Sequence, residues 1–137
     1  MRVLVVGGGK VGSTLAVMMS GEGHGVTLVE IESAKVPALE EELVGVRIVH
    51  GDGCEPYVLE RADVRVADVV VAATGHDEDN LVVCLLGKYE YGVHLTMARV
   101  NNPKNEWLFT GRFGVDAPVS QTTMIADLLR KHVPGEH

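Results

Sequence analysis

Short runs dominated by Val, Ile and Leu recur along the chain and alternate with stretches whose apolar positions repeat at helical spacing. The apolar runs predict strands over residues 2–6, 25–30, 46–50, 68–73 and 94–100, with a short sixth near 114–116. Between them the spacing predicts helices near 10–21, 33–43, 54–61, 77–90 and 103–111, and a closing helix over about 120–132. The strands read VLVV, VTLVE, VRIV, DVVVAA and LTMARV, apolar nearly throughout, as expected where both faces of a sheet are covered. Strands alternating with helices build βαβ units and a parallel sheet. Right-handed crossovers then favour the doubly wound order 3-2-1-4-5-6, a three-layer α/β/α Rossmann fold.

Two helices carry more apolar surface than one sheet face covers. The helix starting at Asp77 contains LVVCLL, six apolar residues in succession from Leu81 to Leu86, which reach every side of a helix. The closing helix, SQTTMIADLLRK, sets Met124, Ile125, Leu128 and Leu129 along one side. A large exposed apolar patch is unusual on a monomer, so a homodimer is expected, with the last helix a candidate for its interface.

Composition narrows the class. A chain of 137 residues is one ordinary domain in length, long enough to bury roughly two thirds of its extended surface and too short for a separate substrate domain. Residues 1–137 are therefore read as one domain. No apolar run approaches the ~18 residues of a membrane span, and the chain passes from Met1 and Arg2 straight into a strand without a cleavable apolar segment. A soluble, cytoplasmic protein with no direct membrane insertion is expected. The net charge of −7, with scattered lysines and arginines, argues against nucleic acid as a partner. Cys54 and Cys84 stand in no CxxC pair and near no histidine cluster, so they read as buried structural thiols, and no metal site is expected. Glu40 to Glu42 read as a solvated helix end.

The strongest chemical signal is VLVVGGGKVGSTLA, in which GxGxxG follows an apolar strand and opens a helix. Gly7 permits the tight turn, Gly9 lets the backbone approach a pyrophosphate, and Gly12 lets helix and strand pack closely. Free amides at the helix start, at the positive end of its dipole, would face the phosphates. The next strand ends in Glu30, eighteen residues after Gly12, where a ribose-binding carboxylate is expected. That carboxylate accepts hydrogen bonds from ribose hydroxyls and repels a 2′-phosphate, a repulsion that Glu32 adds to and Lys35 opposes, so NAD is favoured over NADP. The third strand runs into Gly51, Asp52 and Gly53, a polar turn where adenine would lie; a simple turn or cap through Asp52 reads equally well. The fourth strand ends in Ala73, Thr74 and Gly75, over the second ribose. Lys10 is within reach of the phosphates.

Catalytic groups are scarce. No Tyr stands four residues before a Lys, no Ser sits in a GxSxG elbow, and the histidines are dispersed. His24 reads as a loop residue, and His76, at the rim of the site beside Asp77 and Glu78, is the one candidate acid or base.

Taken together, VVGGGKVG, VEIE, GDGCEP, AATGHDEDN and ARVNNP, in this order, resemble the N-terminal domain of TrkA and Ktr type regulators, the TrkA-N, RCK or KTN family. The likeness covers nearly the whole chain. It implies a regulatory subunit of a Trk/Ktr potassium uptake system: a nucleotide sensor, not an enzyme, that controls a membrane potassium channel or transporter from the inner face of the cell membrane. It also implies NAD(H), or alternatively ATP or ADP, in the cleft, and dimers that assemble into an octameric ring. Carried over by position, the ligand-binding set is Gly7, Gly8, Gly9, Lys10, Val11, Gly12, Glu30, Ile31, Gly51, Asp52, Gly53, Ala73, Thr74, Gly75, Asn80 and Arg99. Arg99 would approach the far end of the ligand or the dimer contact. Lys10 stands where the family often has arginine, keeping the charge but losing the planar fork. The family's C-terminal RCK subdomain has no counterpart in these residues. Two other readings of the glycine loop remain: a small NAD-dependent oxidoreductase or a fragment of one, and a methyltransferase using S-adenosylmethionine, which the GxGxxG spacing and ARVNNP disfavour.

Overall fold

In a computed structural model that describes residues 1–133, the apolar run after Met1 becomes the middle of the sheet, strand β1 (Arg2–Val6). The last four residues of the expected 1–137 domain lie outside the described residues. On one side β1 pairs with β2 (Gly25–Glu30), and β2 with β3 (Val46–His50). On the other side β1 pairs with β4 (Val69–Ala72), β4 with β5 (Leu95–Arg99), and β5 with β6 (Ala117–Val119). All five pairings are parallel, and the order β3-β2-β1-β4-β5-β6 is the doubly wound one. The winding reverses between β1 and β4, which opens a crevice at the carboxyl ends of these two strands.

Consecutive residues of β1 point to opposite faces, and both faces are buried. Val3 and Val5 pack with Leu28, with Ala16 of α1 (Lys10–Gly21) and with Leu39 of α2 (Val36–Glu42). Leu4 and Val6 pack with Leu59 of α3 (Pro56–Arg61) and Val83 of α4 (Asp77–Leu85). This is why the strands read as continuous apolar runs; each fully buried Val or Leu contributes about 1.5–3 kcal/mol. On the first of these faces a groove of about 300 Å3 lies open beside α1. It is walled by Leu15 and Met19 of that helix and by Val71, Leu95 and Met97 of β4 and β5.

The closing helix, α5 (Gln121–His132), begins at Ser120, whose hydroxyl oxygen accepts a hydrogen bond from the Thr123 amide at 3.3 Å. It buries no residue of its own, and its whole apolar stripe is exposed: Met124, Ile125, Leu128 and Leu129 are 55–59% accessible. The LVVCLL run of α4 divides, with Val83 and Cys84 buried against the sheet and Val82 and Leu85 exposed.

Several predicted boundaries move. The sixth strand lies at Ala117–Val119, not at 114–116. The preceding residues are held otherwise: Gly114 has φ +81°, the Thr96 hydroxyl donates to its carbonyl, and the Asp116 carboxylate accepts from the Thr96 amide at 2.9 Å and pairs with Lys88 at 2.6 Å. Pro118, which has no N–H, suits an edge strand. The helix expected over 103–111 is instead a 3-10 turn over Pro103–Leu108 and a second over Gly111–Phe113; Trp107 is 74% exposed, and Phe109, with the partly buried Leu108, anchors the segment in the core. The segment 77–90 is α-helical to Leu85 and widens to a π-type turn over Leu86–Glu90, where Gly87 packs on Val70 and Thr96. The second helix opens with a 3-10 turn, Ser33–Lys35, and the third starts at Pro56, not at residue 54.

Candidate functional site

The carboxyl ends of β1, β2, β3, β4 and β5 converge on a cleft of about 410 Å3 at the reversal of the winding. The β1–α1 loop forms its floor. Gly7, at φ +112°, donates its N–H to the Val29 carbonyl at 2.9 Å, and a Cβ here would meet the Ala73 carbonyl group at 2.9 Å. Only glycine fits that crossing. Gly12 seats α1 on the loop: a Cβ would come within 1.8 Å of the Gly7 carbonyl oxygen. At Gly9, by contrast, a Cβ would meet no atom within 4 Å, so this position leaves open backbone facing the cleft. No side chain caps α1 and its first turn holds no acidic residue. The first amides of the helix, which have no carbonyl within it to bond, are left for an anion.

Glu30 is 4% exposed at the end of β2. Its Oε1 accepts from the Gly8 amide at 2.9 Å and its Oε2 from the Glu32 amide at 2.8 Å. The carboxylate is thus aimed by two backbone bonds, with further lone-pair sites on each oxygen. Gly8 is required for this: a Cβ would lie 2.6 Å from Oε1. On the same side the turn after β3 closes through Asp52, whose Oδ1 accepts from the Cys54 amide at 2.9 Å. Gly53 presses on Val6, to which a Cβ would approach within 2.4 Å.

Twelve of the sixteen residues in the ligand-binding set line the cleft: Gly7, Gly8, Gly9, Glu30, Ile31, Gly51, Asp52, Gly53, Ala73, Thr74, Gly75 and Arg99. Four do not. Lys10 and Val11 are exposed on the first turn of α1, where Val11 borders the apolar groove, and Gly12 is buried beneath the loop. Asn80 is fully buried behind the Thr74 turn. Glu32, Lys35 and His76 also line the cleft, with Lys35 3.5 Å from Glu32.

Cys54, Asp79 and Val83 line the cleft without having been expected there. Cys54 corrects the reading of two buried thiols: it is half-buried, with Sγ 3.6 Å from Asp79 Oδ1, whereas Cys84 is buried. Burial, then the charges of Asp79 and Asp52, pushes the Cys54 thiol up to about 12, and burial does the same to Cys84. Both are protonated at neutral pH and unreactive as nucleophiles. The position of Cys54, two residues after Asp52, was the available signal for its place at the cleft.

Among the described residues no group of three or more His, Cys, Asp or Glu is placed to hold a metal ion, and no helix is long and apolar enough to cross a membrane. The donors and acceptors present fit a nucleotide: a carboxylate for a ribose and open amides for phosphates, in a crevice lined from both halves of the sheet.

A family model described as the TrkA-N domain matches residues 3–121. The chain is 41% identical over 138 aligned residues to the Trk system potassium uptake protein TrkA of Mycobacterium tuberculosis, covering 97% of this chain and 60% of that protein. It is 40% identical over 131 residues to a TrkA homolog of Methanothermobacter thermautotrophicus, covering 96% of this chain and 59% of the relative. The chain thus spans about 60% of the length of these relatives. Among solved structures, the TrkA-N domain of the inner membrane protein ybaL from Escherichia coli superposes with a TM-score of 0.83 at 20% identity, covering 96% of both chains. The GsuK channel bound to NAD superposes with a TM-score of 0.76 at 24% identity, over 86% of this chain and 21% of that one. The Kef C-terminal domain of Shewanella denitrificans in its AMP-bound form gives 0.75 at 19% identity, over 94% of this chain and 77% of that one. The match of residues 3–121 and the identity to the two TrkA proteins agree with the ordered motifs VVGGGKVG, VEIE, GDGCEP, AATGHDEDN and ARVNNP: the chain belongs to the TrkA-N domain family.

Proposed function

We propose that this chain is the nucleotide-sensing part of a cytoplasmic regulator of potassium uptake, binding NAD(H), or alternatively ATP, ADP or AMP, across the cleft and acting on a membrane potassium transporter. The observation that carries this reading is the buried Glu30 carboxylate, held by the Gly8 and Glu32 amides beside a glycine loop whose helix has no acidic residue in its first turn. The relatives named as TrkA supply the potassium-uptake context, and the NAD-bound GsuK channel and AMP-bound Kef domain share the fold. Regulation is favoured over catalysis: His76 is the only histidine lining the cleft among the described residues, and no tyrosine lines it. A ligand regulates only through different affinity for two states, and the second state here is one of assembly. The exposed stripe of α5 and the open groove beside α1 are complementary surfaces on one chain. A two-fold dimer in which each α5 lies in the partner's groove satisfies both. Further association of such dimers gives the octameric ring implied by the family.

Isothermal titration of the chain with NAD, NADH, ATP, ADP and AMP tests the sensor. Saturable binding of at least one is expected; heat-silent titrations with all five, confirmed by an unchanged melting temperature, sink it. Hydride transfer from bound NADH to a small carbonyl compound favours the oxidoreductase instead.

A further inference from the structure

The AATGHDEDN and ARVNNP stretches, which both reach the cleft, are also bonded to each other. Asn80 is 0% exposed, an uncommon position for this residue type. Its Oδ1 accepts from the Thr74 amide at 3.0 Å and from the Thr74 hydroxyl at 2.7 Å. Its Nδ2 donates to the Thr74 carbonyl at 3.1 Å and to the Arg99 carbonyl at 2.9 Å. One turn earlier on α4, the buried Asp77 accepts from the Asn101 amide at 2.6 Å, the Asn102 amide at 2.9 Å and Asn105 Nδ2 at 2.9 Å. Asn101 Nδ2 then returns to the Thr74 carbonyl at 3.0 Å. The backbone ladder between β4 and β5 ends at Ala72 opposite Ala98, so these side chains carry the connection between the two strands past the end of the sheet.

The bonds decide what the turn after β4 offers a ligand. Thr74 directs its amide to Asn80, and its single hydroxyl hydrogen is shared between Asn80 and the His76 carbonyl. The Gly75 amide bonds to no protein group among the described residues, and Gly75 lines the cleft with open space where a Cβ would be. Arg99, whose carbonyl Asn80 holds, lines the same cleft from β5, and its side chain forms no ion pair among the described residues.

We propose that Asn80 and Asp77 form a clamp that positions the Gly75 amide and the Arg99 side chain on the part of a bound dinucleotide beyond its pyrophosphate, with Asn80 acting only through the turn it holds. The clamp rests on the nucleotide reading above. A buried network of this kind rigidifies its surroundings when every member is satisfied, and no fully buried side-chain N or O among the described residues lacks a partner. The adenosine half, gripped by Glu30 and the β1–α1 loop, lies outside the clamp's reach. The two halves of the ligand are therefore positioned by separate devices.

The test compares the unsubstituted chain with Asn80→Ala and, since that variant can fail to fold, with Thr74→Val, which keeps the shape and removes the hydroxyl. Amide hydrogen exchange is measured without ligand, and NADH and AMP are titrated separately. Expected are faster exchange confined to residues 73–76 and 99–102, and NADH affinity lower by about tenfold in Asn80→Ala and about threefold in Thr74→Val. AMP affinity stays within about twofold of the unsubstituted chain, and Thr74→Ser restores NADH binding. Equal weakening of NADH and AMP, or a folded variant with unchanged NADH affinity, overturns the clamp while leaving the nucleotide reading in place. An unsubstituted chain that binds neither nucleotide overturns that reading and the clamp's role in it together.

Discussion

The cleft at the carboxyl ends of the strands and the groove beside α1 share Ala73 and Arg99 in their walls, and they are built in opposite ways. In the cleft the polar groups are already oriented by bonds within the chain: Glu30 by Gly8 and Glu32, Asp52 by the Cys54 amide, Thr74 by Asn80. Such a surface is ready for a small polar ligand and loses little on binding it. The groove is walled almost entirely by Val, Leu and Met, and the amphipathic helix of the same chain leaves its apolar stripe in solvent. One surface has its polar groups bonded in place; the other leaves apolar side chains open. Arg99 stands at the boundary between them.

The largest effect expected from breaking this arrangement comes at Gly12, since α1 walls the groove and is seated by Gly12 against the loop that floors the cleft. Gly12→Val drives a side chain into the Gly7 carbonyl and displaces the helix. A loss of about 3 kcal/mol or more in urea unfolding is expected, with nucleotide binding abolished. Retained stability contradicts the packing role. Leu128→Asp, on the exposed stripe of α5, acts on the contact: sedimentation should show dimer dissociation strengthened by about 30-fold or more, and titration a shifted nucleotide affinity, as linkage between assembly and binding requires. If the unsubstituted chain is monomeric at high concentration, the groove has another occupant. Gly9→Ala touches only the cleft. The new methyl meets no atom of the protein, so the melting temperature should stay within about 2 °C while NADH binding weakens about tenfold, and an unchanged affinity removes Gly9 from the phosphate contact.

The smallest effect is in the acid limb of stability. Burial alone would raise the Asp77 carboxyl, but hydrogen bonds from Asn101, Asn105 and Asn102 outweigh it and hold the group below its ordinary value of 3.8. A carboxylate depressed on folding stabilises fully above its unfolded pKa and loses that contribution as the pH falls through the folded one. Urea midpoints measured from pH 6 downward should therefore decline less steeply in Asp77→Asn than in the unsubstituted chain below about pH 4. Parallel curves exclude Asp77 as a source of the decline.

Local pattern makes some of this visible in advance and hides the rest. The strand order follows from apolar runs separated by helical spacing, because burial on both faces leaves its mark on β1 from Val3 to Val6. The cleft's left half is similarly legible: Gly7, Gly12 and Glu30 are chosen by constraints acting within one βαβ unit. Asn80 is different. A polar residue in the first turn of a helix is as compatible with facing a ligand as with facing inward, and the choice depends on Arg99, at the end of a strand distant in sequence. Cys54 lines the cleft for the same reason, since Asp79 lies on another element. The sixth strand shifted because Asp116 answers to Thr96 and Lys88, bonds that no run of apolar letters encodes.

The reversal of winding between β1 and β4 also has a kinetic side. Val3 finds its neighbour Val26 after a short excursion of chain, but its other neighbour is Val69. The half of the sheet bearing the glycine loop and Glu30 can therefore assemble while the other edge of β1 still waits for its partner, and such long loop closures slow folding. A nucleotide lying across the seam binds only when both halves have docked. At a hundred times its dissociation constant it would add about 2.7 kcal/mol to the folded state, so a nucleotide bound there would also act as the brace that keeps the two halves together.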